Sequence, residues 1–153
     1  MDLKVYPYEA DEIAASEAPE GYTPITSHSA YACAAGPIFE RQWTDDAGIE
    51  RWQRGFRVLD KHTNAGKMAH GGLLMTFMDV LLATAVMRNV PPPFVTVRMT
   101  SDFQGRAPLG AWVTGEAELV KRTGSLAFVE GRLKIESSII FTASGIFRHR
   151  AGK

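Results

Sequence analysis

The chain has 153 residues, of which 45% are hydrophobic and 22% are charged, which suits a single domain with a core of its own. Its 17 Lys and Arg residues balance 17 Asp and Glu residues, so no net charge points to nucleic acid or a membrane surface as the partner. The single cysteine, Cys33, excludes an internal disulfide, and the chain does not cluster enough ligands for a zinc site.

The N-terminal residues and the longest apolar run bear on the cellular location of the protein. Residues 1–20 are acidic and lack the basic-then-apolar order of a signal peptide. The longest apolar run, residues 73–87, is interrupted by polar side chains and is short for a bilayer span. We therefore expect a cytoplasmic protein with no membrane partner.

The first third of the chain is predicted to contain an arm and two strands. Residues 1–35 are predicted to form an N-terminal arm, in which residues 11–17 can form a short helix. Strands are predicted over residues 38–43 and 50–59, followed by a loop over residues 60–69.

A long helix and a run of strands are predicted next. The helix covers residues 71–88 and stops at Asn89 and the three prolines that follow, because proline cannot continue the helical hydrogen bonds. Beyond it, turn signals separate four β-type segments: residues 94–103, 111–122, 126–135 and 139–150. One buried helix against an antiparallel sheet of five or six strands is an α+β architecture.

The predicted helix carries one unexpected carboxylate. Between residues 73 and 87 only Thr76, Asp79 and Thr84 are not apolar, and a helix that is apolar all round is usually buried in a core or an interface. Burying an ionised carboxylate there costs several kcal/mol unless it is compensated. Catalysis is the strongest explanation for Asp79, and a purely structural buried carboxylate is the alternative.

Polar groups also collect at the start of this helix. A helix that begins at Gly71 offers free backbone N–H groups and the positive end of its dipole, and the Gly71 N–H could stabilise an oxyanion. His70 could fix the loop or add a donor, and the Asn64 amide could bind a carbonyl oxygen or a water. Asp79 lies eight residues beyond Gly71, which is about 12 Å along a helix axis. This spacing predicts a dimer in which Asp79 of one copy meets Gly71 of the other.

The order of these residues resembles the hotdog-fold acyl-CoA thioesterases of the PaaI type. Asn64 is followed after six residues by His70-Gly71-Gly72, and Asp79 comes nine residues after His70. The resemblance runs from about residue 36 to 149 and includes the Gly-Arg-Ala-Pro-Leu-Gly turn at residues 105–110.

The resemblance implies a fold and a reaction. It implies a long curved antiparallel sheet wrapped around one central helix, in a hotdog domain over residues 36–150 that forms a homodimer or homotetramer. It implies an acyl-CoA substrate, no cofactor and no metal. Asp79 would be the general base or the nucleophile, the Gly71 N–H would polarise the thioester carbonyl, His70 and Asn64 would shape that side, and Thr96 would help to orient the water.

Several alternatives stay open from the sequence. His70 could serve only a structural hydrogen bond, Asn64 could be only a loop former, and Thr96 could be an ordinary β-branched strand residue. The protein could be a non-catalytic acyl-CoA binder or sensor. It could also be an enoyl-CoA hydratase, although the spacing from His70 to Asp79 does not resemble those enzymes. The preferred acyl group is open as well.

Overall fold

The protein is described here from a computed structural model that covers residues 3–150, in which one antiparallel sheet packs on one long helix. The first two residues of the predicted arm lie outside the described residues. The elements in chain order are α1 (Ala10–Ala15), β1 (Thr23–Pro24), α2 (Ala30–Ala35), β2 (Phe39–Thr44), β3 (Glu50–Arg57), a short 3-10 helix (Asp60–His62), α3 (Gly71–Met87), β4 (Phe94–Phe103), β5 (Trp112–Arg122), β6 (Leu126–Ile135) and β7 (Ser138–His149).

The sheet confirms the α+β prediction and adds one strand to it. All neighbouring strands are antiparallel, in the order β1-β2-β3-β5-β6-β7-β4. The six predicted strands are present, and the seventh is β1 of the arm, whose Thr23 and Pro24 pair with Glu40 and Phe39. The expected number of five or six strands was therefore too low, because a two-residue strand has no alternation to detect. Among residues 3–150 no helix is long and apolar enough to cross a membrane.

Helix α3 packs closely on the sheet because glycines lie beneath it. A Cβ atom on Gly131 of β6 would lie 2.7 Å from the Met78 sulfur, and one on Gly115 of β5 would lie 2.8 Å from a Leu81 methyl carbon. Such atoms would clash, so both strands need glycine at these positions for the helix to come this near. The face of α3 toward the sheet is fully buried: Leu74, Phe77, Met78, Leu81, Leu82, Ala85 and Val86.

Strand β4 is the edge strand of the sheet and contains an irregularity. Thr96 pairs with Phe147 of β7, but Arg98 pairs with the next residue, Ile146, so Val97 is an extra residue that forms a β-bulge. The strand predicted over residues 94–103 is therefore present, but it is not regular at this point. After the bulge Met99 shares the helix-facing side with Thr96, while Val97 is 59% exposed.

The packing of α3 gives a stability prediction. Gly131→Ala places a methyl group against Met78, and we expect it to lower the free energy of unfolding by about 1–3 kcal/mol, as overpacking of a core does. Chemical denaturation measures the change. Gly124→Ala is the matched control, because a Cβ there meets nothing within 4 Å, and we expect a change within about 0.5 kcal/mol. Equal stability of the two variants would contradict close packing of α3 on β6.

Candidate active site

The two faces of α3 have different surroundings, which explains why this helix is apolar all round. One face packs on the sheet, and the other lines an open groove of about 640 Å³. Met75, Thr76, Asp79, Ala83 and Met87 lie on the groove side of the helix. Residues 25–29, 31 and 32 of the arm line the same groove, as does Phe94 of β4.

Asp79 is half-buried in this groove, and not enclosed in the core. The Thr96 hydroxyl donates a hydrogen bond to Asp79 Oδ1 at 2.9 Å. Asp79 Oδ2 receives no hydrogen bond from any residue between 3 and 150. The prediction that burial of Asp79 costs several kcal/mol is therefore wrong for a single chain, because the carboxylate lies on the open face of the helix.

The β-bulge explains how Thr96 reaches Asp79. Bulges re-aim side chains, and the one at Val97 lets both Thr96 and Met99 face α3 although three positions separate them. Met99 then packs against the core, while Thr96 extends toward the carboxylate. Thr96 is thus more than a β-branched strand residue, since its hydroxyl fixes one oxygen of Asp79.

The start of α3 leaves one backbone donor free. His70 is the N-cap, and its Nδ1 accepts a hydrogen bond from the Gly72 N–H at 2.9 Å. The N–H groups of Leu73 and Leu74 bond to the His70 carbonyl oxygen. The Gly71 N–H has no acceptor within the described part of the chain. It is therefore available at the positive end of the helix dipole.

One ring nitrogen of His70 is occupied by the helix that follows it. Because Nδ1 accepts from a backbone N–H, the ring proton resides on Nε2. The capping hydrogen bond supports the structural alternative for His70, and the exposed Nε2–H remains able to donate to a ligand.

Asn64 shapes the loop before α3. Its Oδ1 accepts hydrogen bonds from the N–H groups of Gly66 at 2.9 Å and Met68 at 3.3 Å. This arrangement is an Asx-type turn, which supports the loop-forming alternative. The amide nitrogen of Asn64, which is exposed, makes no hydrogen bond to residues 3–150 and can still donate.

Two anchors hold this loop in place. The Ala69 N–H donates to the Ala107 carbonyl in the turn at residues 105–110, at 2.7 Å, and the His70 N–H donates to the His62 carbonyl at 2.8 Å. The ring of His62 is buried, with Nδ1 accepting from the Leu59 N–H and Nε2 donating to the Gly36 carbonyl. Burial lowers the pKa of His62, so this ring is neutral and structural.

The predicted residues therefore form two groups on one chain. Thr96 and Asp79 are in direct contact, and Gly71, His70 and Asn64 cluster at the start of α3. The helix is continuous between the groups, so the eight residues from Gly71 to Asp79 separate them by about 12 Å along its axis.

Sequence reasoning missed the contribution of the arm to the groove. Tyr31 of α2 hydrogen-bonds through its hydroxyl to Thr76 Oγ1 at 3.0 Å, and neither residue was predicted to belong to the site. The sequence did contain a signal for α2 itself, because Ser29 is a typical N-cap residue in front of an alanine-rich segment. In the structure Ser29 caps α2 by accepting a hydrogen bond from the Ala32 N–H. Nothing in the sequence indicated that this helix packs against α3.

The chain is similar to proteins of known family. The family model described as "Thioesterase superfamily" matches residues 66–140. A Pseudomonas aeruginosa protein named "Putative esterase PA0474" is 38% identical over 131 residues, which cover 84% of this chain and 95% of that protein.

Two solved structures share the fold. One is a hypothetical thioesterase protein of Streptococcus pneumoniae TIGR4 with coenzyme A, with a TM-score of 0.62 and 17% identity, covering 67% of this chain and 80% of that chain. The other is a mutant of the phenylacetic acid degradation protein PaaI from Thermus thermophilus, with a TM-score of 0.55 and 21% identity, covering 64% of this chain and 84% of that chain. The sequence relationship and the shared hotdog fold together make this chain a member of the thioesterase superfamily.

Proposed function

We propose that the protein hydrolyses acyl-CoA thioesters in a homodimer, with Asp79 of one copy and the Gly71 N–H of the other at each site. The observation that carries the proposal is the hydrogen bond from Thr96 to Asp79 Oδ1 in an open groove. Thr96 restrains one carboxylate oxygen, and the other is left to accept a proton or to attack.

The chemistry needs only these groups and water. As general base, Asp79 takes a proton from water while the resulting hydroxide attacks the thioester carbonyl carbon. The carbonyl becomes an oxyanion that the Gly71 N–H and the helix dipole stabilise. Collapse of this intermediate breaks the C–S bond and releases the CoA thiolate and the free acid. As nucleophile, Asp79 would instead attack the carbonyl carbon and expel the CoA thiolate, and water would hydrolyse the resulting acyl anhydride to the free acid and the Asp79 carboxylate.

The spacing along α3 is the argument for two copies. A carbonyl at Gly71 is too far from Asp79 of the same chain, but an antiparallel second helix brings the two groups together. Strand β4 offers the edge for such pairing, because within residues 3–150 it bonds only to β7 and exposes Val95 and Val97 at 61% and 59%. Thr96 lies on the same strand, so pairing at β4 brings the second copy beside Asp79.

The relatives support coenzyme A as the leaving group. The Streptococcus pneumoniae structure holds coenzyme A on the same fold, and we extend this ligand to the present chain as part of the proposal. The CoA thiolate is a good leaving group, so hydrolysis does not require a strong general acid at this site.

Asp79→Asn tests the role of the carboxylate. We expect it to lower kcat for thiol release by about 10²-fold or more, because an amide can neither accept the proton nor attack. A spectrophotometric thiol assay over aryl-, short-, medium- and long-chain acyl-CoAs measures the effect. Asp102→Asn is the matched control, since Asp102 lies on β4 outside the groove and is exposed. Undiminished thiol release by Asp79→Asn would refute the assignment, and hydration of an enoyl-CoA without free thiol would favour the hydratase.

Gly71→Pro tests the oxyanion donor directly, because proline has no N–H and is accepted at the first position of a helix. The φ of −61° and ψ of 137° at His70 are also compatible with a following proline. We expect kcat to fall by about 10²- to 10³-fold relative to Gly71→Ala. The alanine variant is the control, because it retains the N–H and places the same Cβ near the Phe103 ring. Equal kcat for the proline and alanine variants would exclude this donor.

A further inference from the structure

We propose that the N-terminal arm forms one wall of the acyl-binding groove and that Tyr31 limits the length of the acyl chain that the groove accepts. The inference rests on the proposed function only in assuming that the acyl group enters the groove beside Asp79. It assigns a specificity-determining role to residues outside the part of the chain that the thioesterase family model matches.

Apolar side chains line much of the groove. Its surface includes Ile25 of the arm, Val80 and Met87 of α3 and Phe94 of β4. Arg54 also borders the groove, but Glu40 Oε2 neutralises its guanidinium at 2.9 Å. An acyl chain that entered beside Asp79 would therefore contact mainly α3 on one side and the arm on the other.

The arm is held in place independently of Tyr31. The Ile25 N–H donates to the Ile38 carbonyl at 3.0 Å, and the Tyr6 N–H donates to the Ser27 carbonyl at 2.9 Å. Ser29 caps α2, which continues the wall up to Tyr31. The wall is thus preformed, and a change at Tyr31 should alter only the part of the wall formed by α2, without unfolding the arm.

Tyr31 connects this wall to the helix that carries Asp79. The Thr76 hydroxyl donates its only proton to the Gly72 carbonyl at 2.9 Å, so the Tyr31 hydroxyl is the donor in the bond to Thr76. Thr76 lies three residues before Asp79, about 4.5 Å along the helix axis and on a neighbouring part of the same face. Tyr31 therefore borders the groove about one turn from the carboxylate.

The exposure of Tyr31 indicates that this contact is not part of the core. The residue is 70% exposed, although its hydroxyl is hydrogen-bonded and its ring borders the groove. A large ring at the border of a mainly apolar groove would restrict the acyl chains that fit beside it. Removing the ring should lengthen the groove, and removing only the hydroxyl should leave the ring free to move away from Thr76.

The test compares the ratio of kcat/KM for dodecanoyl-CoA to that for butanoyl-CoA in the wild type and in Tyr31→Ala. The ratio within one preparation does not depend on the fraction of active enzyme. We expect it to rise about tenfold in Tyr31→Ala, since a hydrophobic pocket discriminates by about this factor per methylene gained or lost. Tyr31→Phe should shift the ratio in the same direction by a smaller factor.

Tyr22→Phe is the matched control. It removes another tyrosine hydroxyl of the arm, which bonds to Gln53 away from the groove, and we expect the wild-type ratio. A ratio in Tyr31→Ala that equals or falls below the wild-type value would overturn the inference. Dissociation constants of non-hydrolysable thioether analogues with the same two chain lengths provide a second readout, with the same expected change. They judge the role of Tyr31 even if no variant, including the wild type, releases thiol, which would defeat only the proposed hydrolysis.

Discussion

The close packing of α3 on the glycine-containing strands β5 and β6 is the constraint on which the rest of the structure depends. Gly131 and Gly115 leave room for Met78 and Leu81, so one face of the helix is completely buried by the sheet. The opposite face is then fixed in position and lines the open groove. That face carries Asp79, and its orientation toward the groove follows from how the other face packs.

The edge strand β4 links this packing to the chemistry. Its β-bulge turns Thr96 toward Asp79, and its second edge has no partner strand among residues 3–150. In the proposed dimer one strand would thus serve two purposes, orienting the carboxylate and bringing the second helix beside it. The arm would add the remaining wall, with Tyr31 held against Thr76.

The sequence allowed the central elements to be predicted because their signals are local. The bounds predicted for β4 agree with the structure and those for α3 agree to within one residue, since the prolines after Asn89 and the turn at residues 105–110 mark where these elements end. The bulge at Val97, the two-residue β1 and the groove wall at Tyr31 were not predicted, because each depends on contacts between distant segments. The partial exposure of Asp79 was missed for the same reason.

The measurement that tests the account most directly is complementation between two inactive variants, Gly71→Pro and Asp79→Asn, refolded together as a mixture. If each site takes Asp79 from one copy and Gly71 from the other, a mixed dimer contains one intact site. Random pairing in a two-fold dimer should then restore about a quarter of the wild-type activity. If both groups acted within one chain, no intact site could form, and a mixture as inactive as either variant alone would contradict the shared site.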